Sequence, residues 1–195
     1  EEMWAGEDFD SLLDEFEEDP VFGANFICPY QTSISRGWQK GHLVMRSAGS
    51  GGGKTSSVIG ELCNVTVTRL WDDKKGCYVD NPNRISSASF YIHTEMKSRK
   101  EIQPRFIAWI SGINSSTIMD GKYTKEERIR LSEAGKILKE SRIKLIYMPH
   151  FTVPLIRNKI KDLVLNNGCE YGVFDYVSNN GIVGKVMKEE TGLPI

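Results

Sequence analysis

Several things are scarce or missing in this 195-residue sequence, and each omission removes a class of function. No uninterrupted apolar run approaches the roughly 20 residues that a bilayer-spanning helix needs. The N-terminus shows no basic residue followed by an apolar stretch, so it does not read as a secretory signal. No membrane partner and a cytoplasmic location are therefore expected. The four cysteines (Cys28, Cys63, Cys77, Cys169) are far apart and form no CxxC pair, which argues against a zinc or redox motif. His42, His93 and His150 are scattered as well, so no metal site is expected from these side chains.

Basic residues are absent from the first nineteen positions, which carry ten Asp or Glu. The rest of the chain then holds all 25 Lys and Arg against 16 acidic residues. A basic body suits a polyanionic partner, nucleotide or nucleic acid, and equally suits a lysine-coated surface. Within "EDFDSLLDEFEEDP", Phe9, Leu12, Leu13 and Phe16 form a helical apolar stripe that Pro20 closes. That helix either folds back on its own core or docks on a neighbouring subunit. The opening residue is Glu1 rather than Met, and the sequence is read as a piece of a longer protein.

Beyond this segment, strand and helix patterns alternate. "HLVMRSA" (42–48), "ASFYIHTEM" (88–96), "IKLIYMP" (143–149) and "CEYGVFDYV" (169–177) are strand candidates. A helix is expected from Thr55 to about Leu70, and 72–87 has turn chemistry that reads as a loop or insertion. Residues 98–113 are mostly helical, with Pro104 starting, kinking or interrupting the helix. Thr124 and Glu127 make a capping box, and Thr152 caps a further helix that Gly168 ends. The fold class implied is α/β, a mainly parallel sheet with helices on both faces. Ligands of such sheets sit beyond the carboxyl ends of the strands.

The stretch "VMRSAGSGGGKTSS" (44–57) places four glycines within five residues, between a β-prone run and a helix. A flexible linker has the same composition but not this context. A phosphate-binding loop needs inward-facing amides, a helix N-terminus and a lysine, and all are present in order. Its candidate nucleotide contacts are Ala48, Gly49, Ser50, Gly51, Gly52, Gly53, Lys54, Thr55 and Ser56. Lys54 can reach the β- and γ-phosphates, and the Thr55 hydroxyl can ligate Mg²⁺. Ala48 stands where the general pattern has its first glycine. Asp175, at the end of a buried strand, suits the second magnesium anchor or a simple turn cap. Glu95, leaving a strand end, suits the group that deprotonates the attacking water or an ordinary helix-start acid. Context favours the functional role for both. Glu170, opening the last strand, belongs at the opposite end of the sheet.

Together "GWQKGHLVMRSAGSGGGKTSS", "YIHTEM" and "YGVFDYVSNN" resemble the RecA-like ATPase domain of DnaB-type replicative helicases. That family carries G-L-x-x-G-D-L-x-x-x-A-A-R-P-S-M-G-K-T, S-L-E-M and I-D-Y-L-Q-L, so Ala48 matches a family feature. The resemblance runs from about Gly37 to about Asn180. It implies ATP and Mg²⁺ as cofactors, Lys54 and Glu95 as catalytic residues, and Thr55 and Asp175 at the metal. It also implies a hexameric ring of copies acting 5′ to 3′ on single-stranded DNA. Residues 1–20 then correspond to the linker helix and 21–195 to part of the ATPase domain, with an insertion at 72–87. "GSGGGKT" in place of R-P-S-M-G-K-T marks a divergent relative, of phage or mobile-element type. The family's arginine finger and DNA loops lie beyond residue 195, which implies that this stretch alone binds nucleotide but hydrolyses it poorly and unwinds nothing. Two other readings stay open: a RecA- or KaiC-like ATPase that is no helicase, and a module that holds nucleotide for oligomerisation.

Overall fold

The computed structural model describes residues 7–18, 21–49 and 51–176. The chain divides into two compact units, Glu1–Val44 and Met45–Ile195. In the first, helix α1 (Phe9–Glu18) is the expected amphipathic helix, and it buries none of its residues. Its stripe of Phe9, Leu12, Leu13 and Phe16 remains 38–54% exposed. Helix α2 (Pro29–Ser35) starts on a proline, which has the helical φ built in and lacks an N–H that the first turn could not bond anyway. A short antiparallel bridge joins Ala24 to Trp38.

The second unit begins with helix α3 (Lys54–Thr66), followed by strands β1 (Arg69–Asp72) and β2 (Cys77–Asp80) and then β3 (Ser89–His93). Helices α4 (Gln103–Ser111), α5 (Ser115–Asp120) and α6 (Lys125–Glu140) lead to β4 (Ile143–Tyr147), α7 (Val153–Leu165) and β5 (Tyr171–Asp175). Strands β4, β3 and β5 form a parallel sheet in that order, with β3 central and every one of its residues buried. The two in-register ladders align His93 with both Tyr147 and Asp175.

Side chains alternate across a strand, so the two faces of β3 are fixed by parity. Phe90 and Ile92 point to one face, where Leu163 and Ile160 of α7 cover them together with Ile146 and Phe174. Ser89, Tyr91 and His93 point to the other. There Thr66 of α3 shares a hydroxyl hydrogen bond with Ser89, and Phe106 of α4 packs edge-on against Tyr91. The expectation of helices on both faces is met. Phe90 also needs room on β5. A Cβ at its register partner Gly172 would come within 2.0–2.4 Å of the Phe90 ring. Gly172→Ala is therefore expected to cost about 1–3 kcal/mol through overpacking, read as a lower urea midpoint at unchanged slope.

The caps follow the sequence. Thr124 and Glu127 exchange both hydrogen bonds of the capping box that opens α6. The Thr152 hydroxyl accepts from Leu155 N at the start of α7. Pro104 lies in the first turn of α4, directly after a π-helical turn at Ser98–Ile102.

Three expectations are corrected. Helix α3 stops at Thr66 instead of continuing to about Leu70, because the β-branched Val65–Thr68 run leaves it in extended conformation at Val67. Residues 72–87 are not a simple loop. Asp72 and Cys77–Asp80 belong to a β1–β2 hairpin, and the Asn81 amide then donates to the carbonyls of Asn64 and Val67, each at 2.9 Å. It thereby satisfies acceptors that a helix end leaves open. The hairpin packs through Trp71, whose ring lies 3.7 Å beneath the Arg130 guanidinium, and through Tyr78, whose hydroxyl donates to Arg130 O. Finally, 42–48 joins no ladder among the described residues, and Leu43 and Met45 are more than 80% exposed. Its β propensity finds no strand edge to pair with.

Candidate nucleotide site

The glycine-rich turn delivers α3 to the carboxyl end of the sheet. Its last residue, Gly53, caps α3 with φ +79° and Gly51 has φ +74°, a region that costs glycine nothing and other residues strain. Gly53 brings no side-chain oxygen to the helix end. The first amides of α3 thus lack the usual capping acceptor, which is the condition for anion binding at a helix N-terminus. A Cβ on Gly49, Gly51 or Gly53 would meet no atom within 4 Å, whereas one on Gly52 would press to 3.0 Å on Ala48 Cβ and Gly49 O. The turn is braced internally by Gly52 N donating to Gly49 O at 3.1 Å. Just before it, Arg46 is tied to the buried Glu61 of α3 at 2.5 Å.

Lys54 curls back over this turn, its Nζ donating to the carbonyls of Ala48 and of Gly49, the latter at 3.1 Å. Thr55 turns the other way. Its hydroxyl donates to Asp175 Oδ2 at 2.8 Å, linking α3 to the tip of β5 across 120 residues of sequence. The same oxygen accepts from the Tyr91 hydroxyl of β3. Burial above all, and then this hydrogen bond to Asp175, raise the Tyr91 phenol far above its ordinary pKa, so it stays a donor.

Beyond the tip of β3, the Glu95 carboxylate accepts from the Tyr176 hydroxyl. That contact, more than burial, raises the Tyr176 pKa. His93 is buried, and desolvation lowers its pKa and favours the neutral ring. Its Nε2 is hydrogen-bonded to Ser98 Oγ at 2.8 Å, which ties the sheet to the following turn, and its ring also borders the cleft.

One cleft of about 350 Å³ is walled by Gly51, Lys54, Thr55, His93, Glu95, Met96, Ile102, Asp175 and Tyr176. Of the other positions singled out in the sequence, Ala48 and Gly49 hold Lys54, Gly52 and Gly53 shape the turn, and Ser56 lies exposed in the first turn of α3, outside the lining. Ser50 lies outside the described residues, as does the chain after Tyr176. Glu170 sits at the far end of β5, where its amide bonds Ala88 O and its carboxylate accepts from Ser87 N.

Tyr91 and Tyr176 escaped the sequence reading, although each carried a signal. Tyr91, His93 and Glu95 fall on one side of an extended chain by parity, and Tyr176 is the neighbour of Asp175. Chemically, the cleft offers amides and a lysine for phosphate and hard oxygen donors for a cation. Thr55 uses its proton on Asp175, and the lone pairs of its oxygen remain for metal coordination. Among the described residues no group of three or more His, Cys, Asp or Glu could cage a metal by itself. A magnesium ion here would be shared with substrate phosphates, as is usual for that ion.

A glycine-rich turn opening a helix, with acids on the tips of adjacent parallel strands, defines a P-loop nucleotide-binding α/β protein. The comparisons carry this further: the model of the DnaB-like helicase C-terminal domain matches residues 31–189, and the chain belongs to that family. It is 34% identical over 188 residues to the SPbeta prophage-derived uncharacterized protein YorI of Bacillus subtilis (strain 168), covering 96% of this chain and 37% of that protein. A probable plasmid replicative DNA helicase of Chlamydia trachomatis is 28% identical over 152 residues, 77% of this chain and 30% of that protein. The chain thus spans about a third of the length of these relatives. In structure it is similar to a DnaB-like replicative helicase solved in a study of its interactions with primase. There the TM-score is 0.67 at 17% identity, covering all of this chain and 47% of the other. A second solved structure, an ATPase domain, gives the same score and identity, covering 97% of this chain and 67% of the other. The RecA-like fold expected from the sequence is the one observed. Among the described residues, no helix is long and apolar enough to cross a membrane.

Proposed function

We propose that this chain is the ATP-binding and ATP-hydrolysing motor segment of a ring-forming replicative helicase that moves 5′ to 3′ on single-stranded DNA. The observation that carries the reading is the shared cleft of Gly51, Lys54, Thr55, Glu95 and Asp175, in a chain of the DnaB-like helicase family. In this reading the triphosphate lies along the Gly49–Thr55 turn. Lys54 exchanges its two carbonyl partners for β- and γ-phosphate oxygens, and the first amides of α3 complete the anion site. Thr55 and Asp175 would hold Mg²⁺, and the ion would supply positive charge to the transferred phosphoryl group. Glu95 orients the attacking water and accepts its proton, while the Tyr176 phenol fixes the carboxylate it donates to. Neighbouring copies close the cleft, and the exposed stripe of α1 is the surface each copy offers to the next.

The test is strand separation by the full-length protein on forked duplexes with a 5′ or a 3′ single-stranded tail. ATP-dependent unwinding confined to the 5′-tailed fork is the expected result. ATP turnover without any unwinding would favour a non-helicase ATPase, and ATP binding without turnover would favour an oligomerisation module. The α1 assignment has its own check. A variant lacking residues 1–19 is expected to sediment as smaller assemblies than the intact protein at equal concentration, and an unchanged sedimentation profile would return α1 to a local role.

A further inference from the structure

We propose that Tyr91 is a positioning residue for the site: its hydroxyl locks the Asp175 carboxylate in the orientation that a bound divalent cation requires. The proposal rests on the reading of Thr55 and Asp175 given above and adds a residue to it. Tyr91 stands on the central strand, diagonal to Asp175, because His93 is the register partner of Asp175 and Tyr91 lies two residues earlier on the same face. Its side chain is fully buried. The ring is wedged edge-on against Phe106, with centroids 5.7 Å apart, and His93 flanks it at the same distance. A phenol held this way has one place for its oxygen, and that place is at Asp175 Oδ2.

Oδ2 accepts from Tyr91 and Thr55 together, and no other hydrogen bond from the described residues reaches this carboxylate. Two donors converging on one oxygen fix the carboxylate's rotation and leave Oδ1 for the cleft. The two donors are not equivalent. Thr55 sits in the first turn of a helix that follows a glycine hinge, and its oxygen is itself a candidate metal ligand. Tyr91 sits in a strand whose every residue is buried, so it is the rigid half of the clamp. Partners of this kind set metal affinity through the ligand they orient.

The distinguishing readout is magnesium dependence. ATP binding to the full-length protein would be measured by calorimetry, first in EDTA and then at graded Mg²⁺, for the wild type, Tyr91→Phe, Asp175→Asn and the double variant. Tyr91→Phe keeps the ring and its packing. Its ATP affinity in EDTA is expected to match the wild type within about twofold, while the Mg²⁺ concentration giving half of the full affinity gain rises about tenfold or more. In the Asp175→Asn background the same change is expected to add nothing. Wild-type Mg²⁺ dependence in Tyr91→Phe, with Asp175→Asn still impaired, would overturn the proposal and leave the site reading standing. Equal weakening with and without Mg²⁺ would also overturn it, since the hydroxyl would then serve the fold. An Asp175→Asn protein with normal Mg²⁺ dependence would instead remove the underlying reading.

Discussion

Replacing Lys54 with alanine is expected to weaken ATP binding by roughly 30- to 1,000-fold, which corresponds to about 2–4 kcal/mol for losing the positive partner of a hydrogen-bonded charge pair. The turn would remain, because its own brace is Gly52 N to Gly49 O and its positive-φ glycines are untouched. What disappears is a cation in the cleft wall, held here on the carbonyls of Ala48 and Gly49. Backbone amides orient an anion but carry only partial charges, whereas a γ-phosphate needs a full one. Calorimetric titration with ATP in Mg²⁺ measures the loss directly. Near-normal affinity would mean that the triphosphate does not lie along this turn.

The second large effect is on turnover. Glu95→Gln preserves the size of the side chain and an acceptor for the Tyr176 hydroxyl, but it removes the carboxylate proposed as the base. ATP hydrolysis by the full-length protein is expected to fall about 10²- to 10⁴-fold, the range for loss of a general base. Nucleotide affinity should stay within about threefold of wild type, because in this reading Glu95 serves the attacking water and not the phosphates. A steady-state assay of kcat alongside equilibrium binding separates the two quantities. If kcat is unchanged, the water is activated by some other group, and Glu95 is an acid that happens to leave β3 near the cleft. If affinity falls as steeply as kcat, the side chain contributes to binding instead.

Much of the architecture was legible because local chemistry and tertiary structure agree. Thr124 with Glu127, and Thr152, are capping residues whose hydrogen bonds are made within one turn, so nothing distant can overrule them. Apolar runs ending in Glu95 and Asp175 gave the strand tips, and βαβ order then put those tips at one end of a parallel sheet. Long-range context decided the rest. "HLVMRSA" has strand chemistry, but a strand exists only where an edge accepts it, and among the described residues none does. "VTVTRLW" could have prolonged α3. It became the entry to a hairpin because Trp71 and Tyr78 find Arg130, a partner that lies 52 residues beyond Tyr78. The candidate site divides in the same way. Its glycines, lysine, threonine and two acids announce themselves by type and spacing. The tyrosines that hold those acids do not, since a tyrosine within an apolar strand reads as core until the register shows which oxygen it meets.

Whether a triphosphate occupies the Gly49–Thr55 turn with its cation at Thr55 and Asp175 is decided by the structure of the full-length protein with Mg²⁺ and a non-hydrolysable ATP analogue. β- and γ-phosphate oxygens are expected within hydrogen-bond reach of the amides of Gly51–Thr55. Lys54 Nζ is expected to have moved from the Ala48 and Gly49 carbonyls onto those oxygens, with Mg²⁺ in contact with Thr55 Oγ1. An analogue bound elsewhere, with Lys54 still folded onto the two carbonyls, would contradict this placement.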